Sequence, residues 1–248
     1  MVGGNGARKK KQMKIDNEYI IFEKNEIDKM KFKKVTGHSF VGLIGFDPYN
    51  KPGDTLLYMH NILPNIVDSK YLKRGDYAEE IIHKVYKRDY PNDLIMRYND
   101  KKAINYDNFE IIYKNLGGII DLENYTKNKI IEVKSKSMKD YEKIQNVKPL
   151  HEVYQGLLYT FLRHYDDLTM EWVFFDEESE NLLFNGEKPK TNKNLKRISF
   201  DIKCDHDEMK QLCQKALRIV MNFRKEFKIK LSDISPKNIE LLKQRMKT

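Results

Sequence analysis

The stretch GGIIDLENYTKNKIIEVKSKS, Gly117 to Ser137, decides how the rest of the chain is read. Asp121 closes one apolar run, and Glu132 sits inside the next with Lys134 two residues later. The Ile-rich, alternating segments NFEIIYKNLGGIID (108–121) and NKIIEVKSKS (128–137) predict two strands, with ENYTKN (123–128) as the polar turn between them. Side chains alternate between the faces of a strand, so Glu132 and Lys134 share a face while Val133 points into the core behind. Paired strands lie about 4.8 Å apart, close enough for Asp121 and Glu132 to converge on one hard cation. Glu123, placed in the turn, is set aside as a ligand.

A carboxylate pair with an ammonium beside it suits metal-assisted hydrolysis of a phosphodiester. Mg²⁺ held by Asp121, Glu132 and the Val133 carbonyl would polarise the scissile phosphate and acidify a bound water. Lys134 would orient that water or stabilise charge building on the phosphate. Glu-x-Lys alone is a common tripeptide, and its other reading is a solvated strand face. The runs LGGII and KIIEV argue instead for a buried strand pair, and Gly117-Gly118 permits close backbone approach.

Outward from this hairpin, RGDYAEEIIHKVYKRDY predicts a helix ended by Pro91, with Tyr77, Ile81, Ile82, Val85 and Tyr86 on one face. HEVYQGLLYTFLRHY predicts a second amphipathic helix. LTMEWVFFD and LKRISFDIK read as further strands, HDEMKQLCQKALRIVMNFRKEF as a long helix, and SPKNIELLKQRMK as a last helix started by Ser235-Pro236. Residues 14–34 predict a short hairpin or a leading strand. A short helix is expected from about Ser39, then a loop through the turn residues Asp47 to Asp54. This order predicts an α/β fold, a central mixed sheet flanked by helices. Residues 1–13 read as a flexible basic arm and 14–248 as one domain, with its core at about 35–203 and C-terminal helices at about 205–248.

The 248 residues carry 46 Lys and Arg against 37 Asp and Glu, a net charge of +9, which favours a polyanionic partner such as nucleic acid or an anionic membrane surface. No apolar run approaches the roughly 20 residues that span a bilayer, so no membrane partner is expected. Two cysteines, Cys204 and Cys213, are too few for a disulfide framework and read as reduced thiols of a cytoplasmic protein.

Five segments together resemble the PD-(D/E)xK nuclease superfamily, in its RecB-like and lambda-exonuclease (YqaJ-type) branch. VTGHSFVGLIGFDPYN resembles the opening TGS…ILG…PY segment. RGDYAEEIIHKVY resembles the upstream helix, GGIID the motif ending in the first aspartate, IIEVKSKS the ExK strand, and HEVYQGLLYTF the following Q-x-x-x-Y helix. They stand in the family's order over about residues 35–165. Ile120 stands where the proline of the motif would be. The resemblance implies a restriction-endonuclease-like core, dependence on Mg²⁺ or Mn²⁺, and cleavage of DNA. It implies Glu79 as an additional carboxylate on the metal side and Gln155 and Tyr159 as the Q-x-x-x-Y pair. Ser39, in the opening segment, becomes a candidate for contact with a 5′-phosphate.

On the helices themselves, His151, Gln155 and Tyr159 fall on one stripe. Gln155 could bind a nucleotide phosphate or the attacking water and Tyr159 could stack on DNA, or they could be a helix-surface residue and a core residue. His83, one turn after Glu79, reads as a satisfied helix histidine, a metal ligand or a group supporting one. Basic clusters at Lys29–Lys34, Lys70–Arg74, Lys134–Lys139 and Lys188–Arg197 would hold phosphates in a salt-dependent way. The third, with Lys136, continues the active strand. The expectation is therefore a Mg²⁺-dependent exonuclease acting on free ends of duplex DNA in recombination or repair, in a bacterial or phage-infected cytosol, with a single-strand annealing protein and a homo-oligomer as further partners. The alternatives are a restriction-type or structure-specific endonuclease on the same core and a non-catalytic DNA-binding module.

Overall fold

The computed structural model describes residues 13–64, 68–98, 114–189 and 194–247. In chain order the elements begin with strands β1 (Met13–Ile15) and β2 (Tyr19–Phe22), then helices α1 (Lys24–Ile27), α2 (Gly37–Ile44), α3 (Pro52–Met59) and α4 (Ser69–Asp89). Strands β3 (Ile95–Arg97), β4 (Leu122–Asn124) and β5 (Lys129–Ser137) follow, then α5 (Tyr141–Asn146), α6 (Leu150–Leu162), β6 (Asp167–Phe175) and α7 (Glu177–Phe184). The last are β7 (Lys196–Lys203), α8 (His206–Glu226), β8 (Lys228–Lys230) and α9 (Pro236–Lys247). Among the described residues no helix is long and apolar enough to cross a membrane.

The described residues divide into two compact units, one drawn from within 1–33, 42–65 and 215–248, the other from within 34–41 and 66–214. In the first, β1, β2 and β8 make a small antiparallel sheet. The hairpin expected within 14–34 is present, and β8 pairs with it. The loop expected through Asp54 is instead the start of α3. Pro52 at its first turn supplies a preset φ, and the fully buried Asp54 accepts from the Lys51 N–H at 3.0 Å and from Asn238 Nδ2 at 2.7 Å. Ser235 starts α9 as expected, its carbonyl accepting from the Asn238 N–H at 3.0 Å.

Among the described residues the second unit holds a five-stranded mixed sheet in the order β3-β4-β5-β6-β7. The β5–β6 pair is parallel, with α6 in the connection, and the other pairs are antiparallel. Strand periodicity sorts β5 cleanly. Ile131 and Val133 face a core shared with Tyr77, Ala78, Ile82 and Tyr86 of α4 and with Val173 and Phe175 of β6. Glu132, Lys134 and Lys136 face the other way, toward α6. Gly156 lets α6 sit this close, since a Cβ there would lie 2.9 Å from Leu168 Cδ1 and 3.2 Å from Glu132 Cβ.

The hairpin differs from its expected form. The strand expected over 108–121 lies outside the described residues up to position 113. From Leu116 to Asp121 the chain forms no strand, only a single bridge from Leu116 to Val35. The paired strand is Leu122–Asn124, in register with Ile131, Ile130 and Lys129. The turn is therefore only 125–128, closed by Asn128 at φ 50°. Glu123 is a fully buried strand residue, not a turn residue. Its carboxylate is satisfied by Tyr98 Oη at 2.7 Å, Tyr165 Oη at 2.9 Å and Arg163 Nη2 at 3.1 Å. Those donors come from elsewhere in the chain, so a local reading of ENYTKN sees only polarity. Glu123 is still no candidate ligand, because its oxygens are already bonded.

Candidate active site

Strand β4 begins one residue after Asp121. The Asp121 carbonyl accepts from the Tyr98 N–H at 3.2 Å, which anchors its backbone to the β3 side. Its side chain turns toward β5, where Oδ2 accepts from the Val133 N–H at 2.8 Å. A residue in a strand directs its N–H and C=O to the same neighbour. The Val133 carbonyl thus faces the edge where β4 has ended and the Asp121 carboxylate lies.

Glu132 is fully buried. One carboxylate oxygen accepts from Lys134 Nζ at 2.7 Å. The other, Oε2, has no hydrogen-bond partner among the described residues. A buried acceptor left open is costly unless something occupies it. Burial, then the Asp121 charge, pushes the Glu132 carboxyl well above the ordinary carboxylate range, with Lys134 opposing. Burial also raises Asp121, while the Lys134 charge and the Val133 N–H pull it back. For Lys134, burial favours the neutral amine, but the Glu132 and Asp121 charges outweigh it and hold the group above its usual value. The shift of Lys134 thus runs opposite to the depression that a lysine base needs.

Glu79 reaches the same neighbourhood from α4. Burial and then the Asp121 charge raise its carboxyl, and Arg97 opposes that rise. Arg97 Nε and Nη2 both lie 3.3 Å from Glu79 Oε2, and Nη2 also donates to the Asp76 carbonyl at 2.7 Å. Asp121, Glu132 and Glu79 are thus electrostatically coupled, the condition a bound cation relieves. Among the described residues no three His, Cys, Asp or Glu side chains stand together ready to hold an ion. The donor set is the carboxylate pair Asp121 and Glu132, with the Val133 carbonyl on the same edge and Glu79 tied to Arg97. The orphaned Glu132 oxygen and the mutual repulsion of the acids fit a small divalent cation.

The remaining candidates divide. Gln155 is half-buried and hydrogen-bonds the Tyr159 hydroxyl. Tyr159 is buried, its hydroxyl raised by that burial and by the Glu132 charge. A Cβ on Gly118 would overlap the Tyr159 ring, and one on Gly37 would overlap its hydroxyl and the Gln155 side chain. The tyrosine is therefore packed beneath two backbone segments and offers no stacking face to DNA. This corrects its reading as a base platform. His83 Nε2 lies 3.4 Å from the Ile95 carbonyl, the satisfied helix histidine of the alternatives. Ser39 caps α2: its Oγ accepts from the Thr36 N–H at 2.8 Å and donates to the Thr36 carbonyl at 3.0 Å. Lys136 pairs with the buried Glu152, whose Oε2 accepts from Trp172 Nε1 at 2.6 Å.

Sequence reasoning missed Arg97 and Glu152. Arg97 lies on a three-residue strand with no periodicity to read. Glu152 sits on the helix flank one position after His151, and only the β5–α6 packing shows that it meets Lys136.

No family model matches the chain, and no curated protein matches it. Among solved structures, the chain is similar to a phage-related exonuclease from Haemophilus somnus 129PT, with 15% identity and a TM-score of 0.53 over 78% of this chain and 94% of that one. It is also similar to an alkaline exonuclease, LHK-Exo, from Laribacter hongkongensis, with 12% identity and a TM-score of 0.50 over 86% of this chain and 92% of that one. The same enzyme in complex with dAMP aligns at 13% identity and a TM-score of 0.50, over 77% and 90% of the two chains. The mixed sheet flanked by helices is thus a nuclease-like fold.

Proposed function

We propose that this chain is a divalent-metal-dependent deoxyribonuclease, an exonuclease that digests linear duplex DNA from its ends in recombination or repair. The observation that carries this reading is the buried Glu132 carboxylate. One oxygen is 2.7 Å from the Lys134 ammonium and the other lacks a partner among the described residues. The similarity of the fold to two exonucleases, one also seen with dAMP, supports it.

Asp121, Glu132 and the Val133 carbonyl would hold the ion, with Glu79 drawn in as it leaves Arg97. Mg²⁺ or Mn²⁺ bound there supplies neutralising charge at the phosphate and acidifies a water. Lys134, held protonated by its two carboxylates, donates to the attacking water or to a phosphate oxygen as negative charge grows there. Gln155, steadied by Tyr159, lies on the helix that faces this strand and presents an amide to water or phosphate. Asp121, tied to β5 through the Val133 N–H, keeps the carboxylate pair at a set spacing.

The test incubates the full chain and Mg²⁺ or Mn²⁺ with linear duplex, nicked circle and closed circle. Loss of the linear form alone is expected. Linearised circles would instead favour an endonuclease on the same core. Intact DNA in every lane would leave a binding module and overturn the proposal.

A further inference from the structure

The charged face of β5 continues past Lys134. Strand register sets Lys136 beside Phe174 of β6, and Phe174 beside Lys196 of β7. The three side chains form a row across the sheet on the face that carries Glu132 and Lys134. With strands about 4.8 Å apart, the two lysine backbones are roughly 10 Å apart. Phe174 is fully buried and forms the floor of the row. Tyr141, which follows β5 after one 3₁₀ turn, stands edge-on to it, with ring centroids 5.1 Å apart and an interplanar angle of 82°. Lys196 Nζ lies 4.2 Å from the centroid of the Tyr141 ring. On the other flank, Glu152 holds Lys136, and Trp172 holds Glu152.

We infer that Lys136, Tyr141 and Lys196 form a subsite for a single DNA strand beside the scissile phosphate, with the two ammonium groups at phosphates and a base against the tyrosine ring. The inference rests on the nuclease reading for the position of that phosphate. Ammonium groups interleaved with a braced aromatic ring are what sequence-tolerant single-strand binding uses: charge follows the backbone and a ring face takes a base. The seat of Lys196 over Tyr141 marks that ring face as reachable by a cation from outside. An arriving base takes the same face, and the ammonium moves to a neighbouring phosphate. A paired duplex keeps its bases stacked inside and can offer this row only its backbone. The preference is therefore for a strand already unpaired. A merely solvated lysine face would have neither the buried Phe174 floor nor the Glu152–Trp172 brace.

The subsite is tested in EDTA, without cleavage, by fluorescence anisotropy of a labelled single-stranded oligonucleotide and a labelled blunt duplex across a salt series. Tyr141→Ala is expected to weaken single-strand binding roughly 5- to 150-fold. Tyr141→Phe keeps the ring and is expected to bind as wild type. Lys196→Ala, a surface change that leaves the core alone, is expected to lower the slope of log K against log salt by about 0.7 for the single strand. Blunt duplex is expected to respond less to Tyr141→Ala than the single strand does. Wild-type affinity and slope in both alanine variants, or an equal loss for both ligands, would overturn the subsite. Cleavage assays separate the two readings. A wild type that cleaves while the variants bind normally removes only the subsite. A wild type that binds through Tyr141 but never cleaves removes only the nuclease.

Discussion

The Val133 N–H donates to Asp121 Oδ2 at 2.8 Å, so a side-chain carboxylate takes the place at the edge of β5 that β4 gives up one residue earlier. Sheet pairing continues on one side of Asp121, and on the other its carboxylate stands in for the missing ladder bond. Close by, Glu132 has one oxygen without a partner among the described residues and a carboxyl raised by burial and by the Asp121 charge, with Lys134 bonded to its other oxygen.

Adding Mg²⁺ should therefore stabilise the protein. At a hundredfold excess over its dissociation constant, a ligand bound only by the folded state contributes about 2.7 kcal/mol. For a chain of this size, that moves the melting temperature by roughly 5–10 °C. Asp121→Asn is expected to abolish the Mg²⁺-dependent shift while melting normally in EDTA. An undiminished shift in the variant would place the ion elsewhere.

Lys134→Met should cut Mg²⁺-dependent digestion of linear duplex by about 10²- to 10³-fold, the usual loss when one donor to developing charge is removed. Circular dichroism should report an unchanged fold. Retention of most of the activity would take Lys134 out of the chemistry.

Two glycines should respond in opposite directions to alanine. At Gly118 the new Cβ overlaps the Tyr159 ring, and overpacking there should cost about 1–3 kcal/mol. At Gly75, within α4, nothing lies within 4 Å of an added Cβ, so alanine should stabilise the helix by roughly 0.5–1 kcal/mol. Urea midpoints of the two variants check both. A neutral Gly118→Ala would mean that the tyrosine is free to move.

His60 sets an acid limit on the smaller-sheet unit. It is fully buried, with Nδ1 3.0 Å from the Leu56 carbonyl and Nε2 accepting from Arg224 Nε at 3.2 Å. Burial pushes the imidazole down to about 4, so the folded state holds it neutral. The unfolded chain takes up its proton near pH 6.5, and the folded chain only near 4. The stability contributed above pH 6.5 is therefore lost progressively as the pH falls toward 4. His60→Gln should flatten this part of the urea-midpoint profile between pH 7 and 4. A slope unchanged from wild type would assign the acid sensitivity to other groups.

Much of this site was legible locally. Glu132, Val133 and Lys134 sort to opposite faces because a strand has a period of two, and α4, α6 and α8 follow from apolar spacing near 3.6 residues. The first turn of α4, Ser69 to Lys73, lay outside the expected segment, which began at Arg74, because Lys70 to Lys73 give no apolar stripe. Glu123 and Asn124 looked like a turn because their polarity is visible in the sequence and their partners are not.

By itself, the sequence determined strand β5, the long helices α4, α6 and α8, and the face each β5 side chain takes, since periodicity acts over a few neighbouring positions. Only the tertiary structure decided which groups those side chains meet. Arg97 is set against Glu79, Glu152 against Lys136, and Tyr159 beneath Gly118, through strand register and helix packing between segments tens of residues apart. Burial then shifts the carboxylates and leaves one oxygen of Glu132 open. Desolvation and charge coupling depend on everything that surrounds a group, and no stretch of sequence carries that information alone.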